Sequence, residues 1–436
     1  MLPEKNYLLP FLQNSFNFFP LALILGSIAL NLNITFFLII GIVYLFINKI
    51  KLKFNFINIS LLLFFLTLIL SSYLNLGVIG QVNFLKSFFL LRFYLLYILI
   101  ETLIYNKKIK LNYFFYICSI SILFLSLDLA LQFFYGKNIL GFEPWDGRIT
   151  GVFEDEAVAG AYIQKIFIFA VISTILFSNP IIKNKFFLPT IFFIIIIFAS
   201  FIANNRISFF ILILTVLFLI IFFKPLRKKL IISLLILLPF FYYFFQTDTQ
   251  VNLRYKGFVN KVSLLTNFSK NDTLKKNSSL KTNTNESKKN AVKRLPNHGK
   301  IFLTSFKSFE DNKIIGNGLK SFRYKCKNFL DQKNTLCSTH PHNYHLEILH
   351  DTGIIGFILI TVFVIGLLAQ LIKLIFSSKL SYNQKLVLAL LTINFLIEVF
   401  PFKSTGSIFT TWNGTLLWLS ISLINYKKTY EKNQKF

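Results

Sequence analysis

The sequence predicts an all-α polytopic membrane protein of about twelve transmembrane helices with one large, partly helical loop on the outer side. Three observations carry this. Of 436 residues, 55% are hydrophobic and only 15% charged, against roughly 25% charged in an average soluble domain. The apolar residues cluster into runs such as 186–201 and 207–223 that have no polar face, so helices built from them have no side for water. Lysine and arginine alternate between rich and poor loops along the chain, as they do across a membrane.

Taken in order, apolar windows of about 19 residues place spans near 14–31, 34–48, 56–73, 84–104, 112–134, 158–178, 186–203, 207–223, 230–246, 353–375, 384–400 and 407–425. The start, Met1-Leu2-Pro3-Glu4-Lys5, leads into the first run without a small-residue cleavage site and reads as an uncleaved span. The first two spans divide at Asn31-Leu32-Asn33, and the seventh and eighth at Asn204-Asn205-Arg206. With the N-terminus in the cytoplasm, inner loops and the C-terminal tail hold 18 Lys/Arg and the short outer loops four: Lys137, Arg148, Arg206 and Lys403. This bias orients the chain, with both termini inside, and supports an even span count. The organisation is then an N-terminal bundle over 1–246, an outer loop over 247–352 and a C-terminal bundle over 353–436.

The formal net charge is +28. Lysine, asparagine, isoleucine and phenylalanine dominate together, so part of it is compositional background. A basic loop beside a membrane suits phosphate or anionic lipid head groups as well as nucleic acid, and nucleic acid is not the expected partner. From Asp248 to Lys333 the loop has 19 Lys/Arg against six Asp/Glu, a net of +13; long translocated loops are exempt from the charge rule. Its polar stretch 269–290 reads as mobile. From Arg294 onward apolar periodicity returns, with Phe302, Phe306 and Phe309 on one helical stripe, so this half is expected to fold against the membrane surface.

Several polar residues are candidates for chemistry. Arg148 lies in an outer loop poor in cations and suits an anionic ligand. Asp155 and Glu156 precede the sixth span, where carboxylates either cap the helix or serve as substrate-binding or acid–base groups. Arg206 stands at the outer end of two apolar spans; it either snorkels to the interface or holds a guanidinium at a cavity mouth to fork onto phosphate. Asp128 and Glu398 fall within spans as relay carboxylates or as packing groups. His340, His342, His345 and His350 crowd eleven residues, but their spacing matches no standard ligand pair, so no metal is expected. Pro341 favours a helix just after it, which puts His342 at the start of a short surface helix. Its imidazole, with a pKa near 6.5 if unperturbed, suits acceptance of a proton from an attacking hydroxyl. His345 and His350 read as surface or interface residues. Cys326 and Cys337 are expected to close a disulfide in an oxidising compartment, and Cys118 is buried in the fifth span.

His342-Asn343, nine residues, then Gly353-Ile354-Ile355-Gly356 resembles the signature of the O-antigen ligases and the related O-antigen polymerases. Arg294 ahead of an amphipathic stretch, then Gly316-Asn317-Gly318-Leu319-Lys320-Ser321-Phe322, is similar to the other half of that domain, and Arg206 falls at its span-end arginine. His298, in place of an aromatic residue, and Asn205, in place of a serine, depart from the pattern without removing a reacting group. The resemblance implies a GT-C-like, metal-independent and cofactor-free glycosyltransferase of the bacterial inner membrane, whose donor is a glycan on undecaprenyl diphosphate. Arg206 and Arg294 would stabilise the diphosphate, and His342 would orient or deprotonate the acceptor hydroxyl. Arg148, Glu156, Asn343, Gly316 and Gly318 would bind substrate, and membrane lipids would surround the Phe-rich spans. Lipid A-core is the expected acceptor of a ligase, and a second lipid-linked glycan that of a polymerase. A lipid or solute transporter would show inverted repeats and helices broken near midplane, and neither is evident.

Overall fold

The structure is a computed structural model that describes residues 6–52, 54–176, 186–249, 251–253, 255–257, 297–332, 334–377, 380–401 and 403–424. Arg294 and the stretch 269–290 lie outside the described residues. Among the described residues every regular element is helical, apart from one backbone bridge between Trp145 and Arg148. The helices are α1 (Leu9–Ile24), α2 (Ser27–Ile47), α3 (Phe56–Leu74), α4 (Leu76–Phe89), α5 (Leu91–Tyr105), α6 (Leu111–Tyr135), α7 (Ala159–Leu176), α8 (Phe187–Ile202), α9 (Arg206–Phe222), α10 (Lys224–Thr247), α11 (Asn297–Phe309), α12 (Phe322–Lys325), α13 (Tyr344–Ile375), α14 (Tyr382–Glu398) and α15 (Thr411–Leu423).

Among the described residues seven segments are long and apolar enough to cross a membrane: α2, α3, the continuous α4–α5, α6, α7, α10 and α13. The protein is a polytopic helical membrane protein. The other five expected spans fall on shorter helices, α1, α8, α9, α14 and α15, of 16, 16, 17, 17 and 13 residues. Large apolar side chains such as Phe46, 85% exposed, and Ile28, 78% exposed, point away from the bundle, as lipid-facing residues do.

The first helix break is not at Asn31-Leu32-Asn33. It lies at Gly26, whose φ of +96° ends α1. Asn33 sits inside α2 because its amide is satisfied across the helix pair: it donates to the Ser15 carbonyl (3.1 Å) and accepts from Ser15 Oγ (2.8 Å). A polar pair in sequence thus marks an interhelical contact rather than a turn. The break at Asn204-Asn205-Arg206 does separate α8 from α9.

Helix α13 runs along α3, α7 along α6, and α15 along α5. Segments expected on the outer side meet one another: Asn204 with Gly147, Asn31 with Thr411, Ser71 with Asp351 and Thr405 with His342. Over that end lies α11, packed on α13. Its buried face is Ile301, Thr304, Ser305, Ser308 and Phe309, while Phe306 is half exposed. The Phe302–Phe306–Phe309 stripe is therefore not the face turned inward as a whole; the inward face is largely hydroxylic, with Ser308 on the buried His350 and Thr304 on Leu336 N–H.

Candidate active site

Helix α13 is two helices in one. Gly353 takes φ +65° and ψ −168° and breaks it into a short helix, Tyr344 to Thr352, and the long apolar helix that follows. A break of this kind strands carbonyls on one side and N–H groups on the other. The Gly316–Gly318 turn meets both. Asn317 N–H donates to the His350 carbonyl (2.9 Å) and Gly318 N–H to that of Asp351 (3.1 Å). On the other side, Ile354 and Ile355 N–H donate to the carbonyls of Lys313 (2.8 Å) and Ile314 (3.2 Å). Backbone approach is so close that a Cβ on Gly316 would lie 2.4 Å from Gly353 N, and one on Gly353 2.3 Å from Ile314 O. The two glycine motifs of the sequence are thus one interlocked element. Gly316 and Gly318 are buried in this packing, and Gly316 also borders an open cleft of about 590 Å³ beside Asn75 and Lys313.

Asp351 holds the same element from within. Its carboxylate accepts from Lys320 N–H (2.8 Å) and faces His350 Nδ1 (2.9 Å); His350 Nε2 faces Ser308 Oγ (2.9 Å). His350 and Asp351 are fully buried. His350 is thus an internal strut and not a surface residue, and His345 is an interface residue through its 2.8 Å contact with the Val399 carbonyl.

His342 sits immediately before α13 at φ +56°, a left-handed conformation in which histidine is among the enriched types. Asn343 is the N-cap: its Oδ1 accepts from Leu346 N–H (3.1 Å), and its Nδ2 donates to the carbonyls of Pro401 (2.6 Å) and Lys403 (3.2 Å). Thr405 N–H donates to the His342 carbonyl (2.9 Å), and Glu347 accepts from Ser407 Oγ (2.5 Å) and Ile408 N–H (2.9 Å). The loop between α14 and α15 therefore wraps the first two turns of α13 and fixes the histidine turn. Asn343 is buried by these contacts, which hold the turn in place.

The His342 ring is half buried, 3.0 Å from Ser338 Oγ through Nε2, edge-on to His298 at 5.0 Å between centroids and 4.1 Å from the His340 ring. Burial, and then the neighbouring His298, push its pKa below the usual histidine value against an opposing backbone contact with Thr405. For His340, burial, then His342, then Arg323 and Lys320 bring it down to about 4. His342 is thus a neutral imidazole at neutral pH, the form that accepts a proton. Lys320 is likewise depressed, first by burial and then by Arg323 and Lys86, and of these cations Lys320 and Arg323 act on His340. Among the described residues, buried Thr405 Oγ1 and Arg323 Nε have no hydrogen-bond partner, as groups left for a polar ligand would.

Arg148, Glu156 and Arg206 form a second group. Asn204 Nδ2 donates to the Gly147 carbonyl (3.2 Å), and Asn205 Nδ2 to that of Ala157 (3.4 Å) while its Oδ1 caps α9. This draws the turns carrying Arg148 and Glu156 onto the first residue of α9, Arg206. Arg148 lies 4.0 Å from Asp146, and Glu156 is exposed. Asp128 accepts from Ile139 N–H (3.0 Å) and so orders the turn after α6, the packing alternative for that carboxylate. Cys326 and Cys337 are joined as a disulfide with Cα atoms 5.2 Å apart, and Cys118 is free and buried in α6.

Residues 191–361 match a family model described as O-antigen ligase. Over this segment, less than half of the chain, the protein is similar to the O-antigen ligase family. The matched segment opens in α8, takes in Arg206, Arg294, the glycine turn and His342, and closes in α13 just past the Gly353 break; Arg148 and Glu156 lie upstream of it. No curated protein matches the chain. Sequence reasoning missed the Lys320–Arg323 pair, His350–Asp351 as a unit, and Lys165 inside α7. The last had a signal, since a lysine in a predicted span is rarely there without a partner.

Proposed function

We propose that the protein is an O-antigen ligase-type glycosyltransferase that moves a glycan from undecaprenyl diphosphate to a hydroxyl of a lipid A-core acceptor. The observation that carries this reading is the family match ending on the element that presents His342, a half-buried neutral imidazole beside a cationic cluster. The acceptor oxygen attacks the anomeric carbon, and the bond from that carbon to the diphosphate oxygen breaks. The hydroxyl proton passes to a nitrogen of His342, and the leaving diphosphate keeps the bonding pair. Negative charge grows on that leaving group, and in this reading Arg206, Arg294, Lys320 and Arg323 stabilise it. Arg148 and Glu156 border the substrate path beside Arg206. In this reading the chain spans the bacterial inner membrane twelve times, termini inside, with the histidine turn facing the periplasm.

The related reading, a polymerase that joins one lipid-linked repeat to another, is favoured by the same family description and the same chemistry. Lipopolysaccharide gels of a deletion strain separate the two. Complete loss of capped core supports the ligase, and a single-repeat band the polymerase. Unchanged lipopolysaccharide and surface polysaccharide would contradict both.

A further inference from the structure

Three ionisable groups are buried together near the histidine turn: Lys165 of α7, Glu398 at the end of α14 and Lys403 in the following loop. Their side chains are 7%, 2% and 6% exposed. Glu398 places one carboxylate oxygen on Lys165 Nζ and the other 3.2 Å from Lys403 Nζ. Two cations share one anion, so the cluster is formally one positive charge in excess. A neutral lysine–glutamate pair would satisfy the carboxylate at a lower desolvation penalty. Stability alone therefore does not account for the second lysine, and ionisable groups at this depth are expensive enough to call for a role.

Connectivity supplies one. Lys403 also offers its carbonyl to Asn343, and Thr405, two residues on, holds the His342 carbonyl. At the other side, the start of α7 packs on the start of α9: a Cβ on Gly160 would lie 2.8 Å from Asn205 Cβ, beside Arg206. The cluster is thus the joint between the element carrying Arg206 and the loop cradling His342. We propose that Lys165, Glu398 and Lys403 form a buried electrostatic latch that positions the His342–Asn343 turn relative to the Arg206 end of the site. This rests on the transferase reading for its catalytic consequence, though not for its structural one.

The test uses the full-length protein in detergent with Lys165→Met and Lys403→Met, each of which leaves one neutral Glu–Lys pair in place. Both variants are expected to melt at or above the wild-type temperature. Transfer from an undecaprenyl-diphosphate-linked glycan should nevertheless fall about 10- to 100-fold in kcat, the scale of a small misplacement of reacting groups, with donor KM unchanged. Hydrogen exchange should accelerate at 340–346 and 399–408 in Lys165→Met, although the replaced side chain lies on α7. Wild-type kcat and exchange in both variants would overturn the latch. So would a rise in donor KM at constant kcat, which marks a ligand contact, or a large fall in melting temperature in both, which marks a purely structural pair. Altered exchange in a chain whose wild type transfers no glycan would leave the latch standing and remove the transferase reading.

Discussion

Replacing Gly353 by alanine tests whether the helix break organises the site. The residue's φ of +65° and ψ of −168° fall in a region essentially reserved for glycine, which costs another residue about 1–3 kcal/mol. The added Cβ would meet Ile314 O at 2.3 Å, Ile314 C at 2.5 Å and Gly316 N at 2.6 Å, all backbone atoms that no rotamer change can move. Relief requires the 313–316 segment to part from α13. The Ile354–Lys313 and Ile355–Ile314 hydrogen bonds are then lost, at about 1–3 kcal/mol for each buried group left unpaired. A total near 5 kcal/mol follows, and at about 1.4 kcal/mol per factor of ten local opening rises more than a thousandfold. Hydrogen-exchange mass spectrometry of 312–320 and 350–356 reads this directly. Gly77→Ala is the control, since its Cβ meets nothing within 4 Å. Exchange within about threefold of wild type in Gly353→Ala would refute the interlock, being under 1 kcal/mol.

Four further outcomes follow from the site. Transfer should fall as pH drops, with an inflection below 6.5, because burial and His298 hold His342 neutral; an inflection above 7 in a pH–rate profile would exclude it as the base. His340, with a folded pKa of about 4, binds fewer protons than the unfolded chain between about 6.5 and 4, so melting temperature should decline across that window as pH falls. Asn343→Ala removes an N-cap and two bonds to the 401–403 carbonyls; about 2–3 kcal/mol of local stability should go, seen as faster exchange at 343–347. Cys326→Ser should lower the thermal stability of the outer loop by about 2–3 kcal/mol, since the bridge closes a short loop.

Helical class and membrane character were legible because burial in lipid leaves long apolar runs, and each expected span has a helix on it. The Asn31–Asn33 boundary was not, because a polar residue in a membrane helix marks either a turn or a partner across the bundle, and only tertiary structure distinguishes them. The helix start at His342-Asn343 was legible through Pro341 and its place before a span. The glycines were legible as necessary residues but not as scaffold, since a positive φ and a ligand cradle make the same demand for a missing Cβ. His350 and Asp351 were illegible as an internal strut because their partners, Ser308 and the Lys320 amide, lie 31 to 42 residues away. The buried ion cluster spans 233 residues from Lys165 to Glu398, beyond any local pattern.

In the proposed transfer from a lipid diphosphate, a neutral His342 accepts the acceptor's proton. The most direct measurement is glycan transfer by purified wild type and His342→Ala, with undecaprenyl-diphosphate-linked glycan and lipid A-core, in the presence of excess chelator. The account predicts transfer by the wild type and a loss of about 10²-fold or more in the folded variant, the scale of a lost general base. Wild-type rates in His342→Ala would contradict it.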